Sequence, residues 1–344
     1  MKTQRPDKGG IWRSGGLFTA LIVLACLFVP DANAQQSAKE PLKIAMILWR
    51  GETRVEEGFR AYFSEENIPV ELTVHDIGRD LSKIPGIIDD IRNNPPDLVY
   101  TWGTGITSAV AGKYNAADPA KNITELPIVF VMVSSPWKTG IAAPTGQSRP
   151  NVTGATHMAP LAAQINAIRA YRPMDKLGVV YNSAEDNSVS NINDLTELGK
   201  TMGFDVLAAP LGTDRAPTPD DIGPAVASLT KRGADILYIG PDNFIGNYRD
   251  ILTDAGFANG LAAFSATELE VRDGQAMLGL VSRYELVGRL AASKVSEILI
   301  DGVSPADIPI ETLDRFSYLV RLSAARKLNL YPPLALLDYA EIIE

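Results

Sequence analysis

Short apolar runs alternate with amphipathic segments along most of the chain, and this alternation constrains the fold more than any other feature. Residues 43–49 read Lys-Ile-Ala-Met-Ile-Leu-Trp, a nearly continuous apolar run of the kind that buried parallel strands require. The next segment, 52–66, places Val55, Phe59 and Phe63 at helical spacing. Strands and helices in strict alternation predict a parallel sheet with right-handed crossovers.

This alternation runs twice, with a break rich in Pro, Gly and Ser at 136–150. Before the break it predicts strands at 43–49, 70–74, 97–102 and 127–133 and helices at 52–66, 84–91 and 106–114. After the break it predicts strands at 176–182, 206–211, 234–240 and 261–265 and helices at 161–171, 191–203, 220–232 and 247–255. Two runs of one layout predict an α/β protein of two similar lobes, each with a parallel-sheet core.

The tail leaves the connectivity open. It predicts a strand at 276–281, a long helix at 285–299, an extended piece at 308–311, a strand at 316–322 and a helix at 323–328. These elements either extend the second lobe or return to the first lobe and cross back.

The first 34 residues have the pattern of a secretory signal peptide. A basic start with Lys2 and Arg5 precedes an apolar run at 17–29, and Ala32-Asn33-Ala34 provides small residues for cleavage. The apolar run is shorter than the roughly 20 residues that span a bilayer. We therefore predict a signal peptide at 1–34, cleavage after Ala34 and a protein located in the periplasm.

The only cysteine, Cys26, lies within this segment. Leu24-Ala25-Cys26 resembles a lipoprotein cleavage site, so lipidation stays open, although Leu27-Phe28-Val29 continues the apolar run. With cleavage after Ala34 the mature chain has no cysteine, which excludes disulfides, thiol catalysis and cysteine metal sites.

The charge of the chain limits its partners. Its net charge is −9, and removal of the basic signal segment makes the mature protein more acidic. An acidic surface without basic runs argues against nucleic acid or an anionic membrane as the partner.

Candidate site residues follow from a general rule: ligands of parallel α/β sheets bind beyond the carboxyl ends of the strands. The loops at these ends, with the segment leaving the first lobe, hold hydroxyl, amide, carboxylate and aromatic side chains. The predicted ligand-binding residues are Trp49, Arg50, Trp102, Gly103, Thr104, Ser134, Ser135, His157, Asn182, Asp242 and Glu268.

The loop 101–105 gives the sharpest physical argument. Gly103 and Gly105 allow close approach of a ligand, and the free N–H groups of the following helix favour an anion such as a carboxylate. A tight turn with a buried Trp102 is the structural alternative. The spacing Gly103-x-Gly105-x-x-Ser108 lacks the last glycine of the dinucleotide fingerprint and follows the third strand, so we expect no nucleotide cofactor.

Each charged residue at a strand end can have either a ligand-binding or a structural role. Asp242 can receive a ligand ammonium group or cap a helix, and both roles can coexist. Glu268 is a similar candidate or part of a solvated charge cluster. Arg50 and Arg283 can each bind a carboxylate or the opposite lobe.

Metal binding and catalysis have weak support in the sequence. The two histidines, His75 and His157, lack metal-ligand spacing. No nucleophile elbow, phosphate-binding loop or zinc motif occurs. We therefore expect neither a cofactor nor an enzyme.

Several segments together resemble the substrate-binding proteins of ABC transporters with the type I periplasmic binding protein fold, in the branch of tryptophan- and tyrosine-type binders. The matching segments are Asn151-Val152-Thr153-Gly154, Val179-Val180-Tyr181-Asn182-Ser183, Ala234-Asp235-Ile236-Leu237-Tyr238, Pro241-Asp242, the helix 285–302 with Asp307-Ile308-Pro309, and Ala324-Ala325-Arg326-Lys327-Leu328. These segments are spread over nearly all of the mature chain, and their order and spacing carry the resemblance.

The resemblance implies two Rossmann-like lobes joined by a three-strand hinge, with lobe 1 at 41–157 and 279–308 and lobe 2 at 158–278 and 309–344. It implies hinge closure on a small polar or zwitterionic ligand such as an amino acid, and a monomer that hands the ligand to a membrane permease. The bulky, charged Trp49-Arg50-Gly51-Glu52 replaces smaller polar residues expected in the family, which puts an aromatic amino-acid ligand in doubt. A sensory binding protein and an extracytoplasmic α/β enzyme are the rival interpretations.

Overall fold

The computed structural model describes residues 40–144 and 149–344, so the predicted signal peptide and Cys26 lie outside the described residues. The first part of the chain forms a five-stranded, fully parallel sheet in the order β2-β1-β3-β4-β5. Its elements are β1 (Leu42–Leu48), α1 (Arg54–Glu65), β2 (Val70–Asp76), α2 (Ile84–Asn93), β3 (Leu98–Trp102), α3 (Gly103–Ala111), β4 (Ile128–Val131) and β5 (Val152–Ala155).

The rest of the chain contributes a seven-stranded sheet in the order β12-β11-β10-β9-β8-β6-β7, in which only the β10–β11 pair is antiparallel. Its elements are α4 (Leu161–Tyr171), β6 (Lys176–Asn182), α5 (Asp186–Met202), β7 (Asp205–Leu211), α6 (Ile222–Lys231), β8 (Ile236–Ile239), α7 (Asn243–Asn247), α8 (Arg249–Ala258), β9 (Ala263–Ser265), α9 (Glu268–Arg272), β10 (Leu278–Val281), α10 (Tyr284–Leu299), β11 (Ser317–Arg321), α11 (Leu322–Leu328), α12 (Leu334–Leu337) and β12 (Glu341–Ile343). Short 3₁₀ turns lie at Leu81–Lys83, Pro219–Asp221 and Pro305–Asp307. The predicted α/β fold with two sheets is confirmed.

Both faces of each sheet are covered, which explains the nearly continuous apolar strands. In β1, Ile44 and Met46 belong to the apolar cluster on one face of the first sheet. Ala45 and Ile47 belong to the cluster on its other face. Successive side chains of a strand point to opposite faces, so a strand buried on both sides must be apolar at every position. Within the described residues, no helix combines the length and the apolar character needed to cross a membrane.

The long helix α10 decides the connectivity that the sequence left open. Its neighbours β10 and β11 lie in the second sheet, yet Val287, Ala291 and Val295 pack in the same cluster as Val55 of the first sheet's helix α1. The chain therefore returns to the first sheet and crosses back. We call the first sheet with α1, α2, α3 and α10 the first lobe, and the second sheet with its other helices the second lobe.

The last crossing is anchored to the first lobe. The amide of Thr156 donates to the carbonyl oxygen of Glu311 at 2.7 Å. The buried Lys294 of α10 donates to the carbonyl oxygen of Pro309 and to the carboxylate of Glu311, both at 2.7 Å. The predicted extended piece at 308–311 thus lies beside β5, joined by a single β-bridge between Ala155 and Glu311.

Two strands have no counterpart among the predicted ones. Val152–Ala155 and Glu341–Ile343 are only four and three residues long, and neither has an apolar run that marks a strand. They become strands because β4 and β11 supply parallel partners. Helix α5 also begins at Asp186, five residues before the predicted start at residue 191.

Candidate ligand-binding site

A cavity lies at the carboxyl ends of strands from both sheets. It lies between the two sheets and is partly open to solvent. Seven of the eleven predicted residues line it: Arg50, Trp102, Gly103, Thr104, Ser134, His157 and Asp242. They come from three first-lobe loops, the segment at 156–160 that leaves the first lobe, and the loop after β8. The topological rule therefore located the cavity.

The other four predicted residues lie elsewhere. Trp49 and Asn182 line an outer gap that adjoins the cavity and shares Thr104 with it. Ser135 is absent from both walls, and its carbonyl oxygen accepts hydrogen bonds from Thr139.

Glu268 and Arg283 do not line the cavity and instead bind other residues of the protein. The buried carboxylate of Glu268 accepts from the backbone N–H of Tyr284 at 2.6 Å and pairs with Arg272. It therefore holds the start of α10. Arg283 binds Ser317 and Glu341 and does not line the cavity.

The β3–α3 junction has the geometry expected of a binding loop. Gly103 has a φ of 80° and a Cβ on it would meet open space, so the requirement for glycine is conformational. No side chain of the described residues caps the start of α3, which leaves its first N–H groups available. Trp102 is buried, and its indole Nε1 has no hydrogen-bond partner in the part of the chain that the structure describes.

Arg50 reaches across the gap between the lobes. It follows β1 in the first lobe, and its Nη1 donates to Oδ1 of Asn247 in the second lobe at 2.7 Å. The residue is half-buried, and burial is the main reason why its pKa is lowered, with the nearby Glu270 carboxylate acting in the opposite direction.

Asp242 caps α7, the structural alternative left open by the sequence. As a residue Asp242 is half-buried, but its carboxyl group lies inside the protein. Its Oδ1 accepts from the amide of Ile245 at 2.8 Å, and its Oδ2 accepts from the amide of Asn182 at 2.7 Å and from the hydroxyl of Ser188 at 2.8 Å. Burial, with the neighbouring Glu185 carboxylate adding to it, raises the pKa of Asp242 to about 7. Asp242 therefore positions the cavity wall.

His157 points to an unmet interaction inside the cavity. It is buried, and its Nδ1 has no hydrogen-bond partner among the described residues. Because burial disfavours the imidazolium, the pKa of His157 falls to about 4.

This shift predicts that His157 destabilises the protein in acid. Its folded-state pKa lies below the ordinary value of 6.5, so its contribution to stability is present above pH 6.5 and is lost as the pH falls towards 4. Asp242 acts oppositely because its pKa is raised, so wild-type stability alone does not isolate the effect. Between pH 7 and pH 5, the stability advantage of wild type over His157→Gln should shrink by about 2 kcal/mol. Urea unfolding at both pH values measures this, and an unchanged difference would contradict it.

Nine residues of the cavity wall are absent from the predicted set, among them Met132, Gly246, Glu270 and Tyr284. Met132 is marked by its backbone conformation, which the sequence does not show. Its φ of 57° is rare for a non-glycine residue, and such conformations cluster at functional sites. Tyr284 opens α10, and no sequence pattern shows that this helix returns to the first lobe. Glu270 belonged to the charge cluster from which the sequence selected Glu268.

Comparisons with known proteins agree with this architecture. Residues 56–343 match the family described as ABC transporter substrate binding protein. A tyrosine-binding protein of Clostridioides difficile strain R20291 is 24% identical over 273 residues, covering 79% of this chain and 73% of that protein.

Two solved structures share the fold. The ABC domain of Streptococcus pneumonia in complex with L-Trp has a TM-score of 0.75 at 18% identity and covers 88% of this chain and 100% of that chain. A conserved domain protein of Vibrio cholerae has a TM-score of 0.76 at 20% identity and covers 89% and 100%.

The resemblance stated from the sequence is therefore confirmed, and the family is one of proteins that bind small-molecule substrates. The chain belongs to the ABC transporter substrate binding protein family.

Proposed function

We propose that this protein is the periplasmic solute-binding component of an ABC importer. It binds a small polar or zwitterionic molecule, with amino acids as the first candidates, and closes on it by a hinge motion. As a monomer it then passes the molecule to a membrane permease, without chemical turnover. The family match and the position of the cavity between the lobes support this proposal.

The observation that carries the proposal is the set of unsatisfied polar groups on the cavity wall. Trp102 Nε1 and His157 Nδ1 are buried without a hydrogen-bond partner among residues 40–144 and 149–344, and both residues line the same cavity. A buried polar group without a partner costs about 1–3 kcal/mol. A ligand that accepts from the indole and bonds the imidazole removes this cost, so the wall is suited to a polar guest.

The three crossings support the hinge. They lie at 156–160, at 282–283 and after Leu313, which still packs against the first lobe's apolar cluster. The boundary implied at residue 279 falls within β10, a strand of the second sheet, so we place the second crossing at 282–283. Short connecting segments of this kind can act as hinges about which two lobes rotate.

We expect at least one amino acid, purine, sugar or small organic acid to raise the melting temperature of residues 35–344, because a ligand that binds only the folded state stabilises it. Thr104→Ala should weaken that ligand about tenfold, the effect of one lost hydrogen bond. Thr201→Ala, an exposed threonine on α5, serves as the matched control. Titration calorimetry gives both affinities, and equal effects of the two substitutions would remove Thr104 from the site.

Further measurements separate the rival functions. A smaller radius of gyration with ligand supports closure, and chemical conversion of the bound ligand supports an enzyme. Neighbouring permease and ATPase genes favour transport, whereas a neighbouring sensor kinase favours signalling. Mass spectrometry of the exported protein distinguishes an N-terminus at Gln35 from a lipidated Cys26.

A further inference from the structure

Two oppositely charged side chains face one spot in the cavity without pairing with each other. Around Gly246 of α7, the position that a Cβ would occupy lies 3.3 Å from Oε1 of Glu270 and 3.9 Å from Nη1 of Arg50. No ion pair joins either side chain to any charged group of the described residues. The two opposite charges therefore lie around one region of the cavity wall without forming an ion pair.

Neutral partners hold the two groups apart. Asn247 accepts from Nη1 of Arg50 at 2.7 Å. On the other side, Thr267 and Ser265 donate to Oε2 of the buried Glu270, whereas its Oε1 accepts no hydrogen bond from the described residues. The guanidinium therefore keeps free donors, and the carboxylate keeps a free acceptor, on the same side of the cavity.

Two unpaired charges in the cavity wall destabilise the protein unless a bound ligand supplies an opposite charge for each of them. An unpaired charge in a partly desolvated site is destabilising, and a neutral guest such as a sugar leaves both groups unpaired. A guest with only a carboxylate or only an ammonium group satisfies one of them. A planar carboxylate matches the donor geometry of a guanidinium, and an ammonium group matches a carboxylate oxygen.

We infer that the ligand of this cavity is a zwitterion whose carboxylate binds Arg50 and whose ammonium group binds Glu270. The inference rests on the proposed function, since it assigns chemistry to the same cavity. Arg50 belongs to the first lobe and Glu270 to the second, so one ligand bridges the lobes and stabilises the closed form.

The test uses matched probes on the folded protein. The panel contains the twenty L-amino acids, D-glucose, D-ribose and myo-inositol. For each amino acid that binds, it adds the amide, the amine without the carboxylate and the acid without the ammonium group. We expect every binder to be a zwitterion, with an affinity loss of about 100-fold or more when either charge is removed, because a site built for a polar group rejects an analogue that lacks it.

Substitutions then assign each charge to its residue. Arg50→Gln should bind the amide about as well as the zwitterion, and Glu270→Gln should bind the deaminated acid about as well as the zwitterion. A merely structural role would not reverse the discrimination in this selective way. Arg60→Gln, at an exposed arginine paired with Glu52, should leave all affinities unchanged.

Gly246→Ala tests the inference with a variant that is expected to remain folded, so that a loss of binding is not explained by unfolding. It places a methyl group at the shared spot, while alanine favours the helix that contains it. We expect a stable protein that no longer binds the zwitterion. Normal binding by Gly246→Ala, or a sugar that binds wild type as tightly as any amino acid, overturns the inference but leaves the proposed function intact. Binding by no member of the panel counts against both.

Discussion

Replacing Asp242 with alanine is expected to lower the free energy of unfolding by about 3–4 kcal/mol, because three donors lose their acceptor at once. These donors are the amides of Asn182 and Ile245 and the hydroxyl of Ser188. They belong to β6, α7 and α5, so one carboxylate ties three elements together beside the cavity. The same substitution should abolish ligand binding, since the wall formed by Asn187 and Asn243 loses its support.

Asp235→Ala provides a matched control at the opposite end of the same strands. Asp235 accepts from the amides of Asp175 and Lys176 at 2.9 and 2.8 Å, but in a more exposed position. We expect it to cost about 1 kcal/mol. Urea unfolding should be measured at pH 5 and at pH 8. Because the pKa of Asp242 is raised to about 7, its contribution is present at low pH and declines as the pH rises through 7. Equal costs for the two substitutions would contradict this account.

Replacing Gly288 with alanine should destabilise the protein by about 3 kcal/mol or prevent folding, although alanine normally stabilises a helix by about 1 kcal/mol relative to glycine. A Cβ at this position of α10 would lie 1.8 Å from the carbonyl oxygen of Val55 in α1. A Cβ on Gly58 of α1 would lie 2.0 Å from the carbonyl oxygen of Glu285. The obstacles are backbone atoms, so relief requires the two helices to separate.

Gly223→Ala in α6 is the control, because a Cβ there meets nothing within 4 Å. It should leave stability unchanged or raise it by up to about 1 kcal/mol. Circular dichroism and urea unfolding compare the two variants. Displacement of α10 also moves Tyr284, so any folded Gly288→Ala protein should bind ligand more weakly. A Gly288→Ala protein as stable as Gly223→Ala would show that the helices part at little cost.

Most of the cavity could be located from the sequence because strand ends carry positional information. Once residues 43–49 and 97–102 are assigned to one parallel sheet, their following loops lie at one edge of it, and the loop after 234–240 lies at the corresponding edge of the second sheet. Arg50, Thr104 and Asp242 follow such strands and do line the cavity. The sequence did not identify the cavity residues correctly where the direction of a side chain decides whether it enters the cavity.

Glu268 and Glu270 show this limit. They lie two residues apart in the short helix α9, and residues at that spacing point about 200° apart around a helix. The sequence favoured Glu268, but its carboxylate holds the start of α10, whereas Glu270 lines the cavity. The position of the start of α10, to which Glu268 binds, decides which of the two carboxylates lines the cavity.

The sequence by itself determined the alternation of strands and helices, the division into two sheets and the loops at their carboxyl edges. These depend on local periodicity, since a strand buried on both faces must be apolar and a helix must bury one side. The tertiary structure alone decided that α10 returns to the first lobe, that Asp242 supports the wall, and that Arg50 and Glu270 both lie beside Gly246 without pairing. These features join residues far apart in the chain, and contacts of that kind leave no periodic signal in a single sequence.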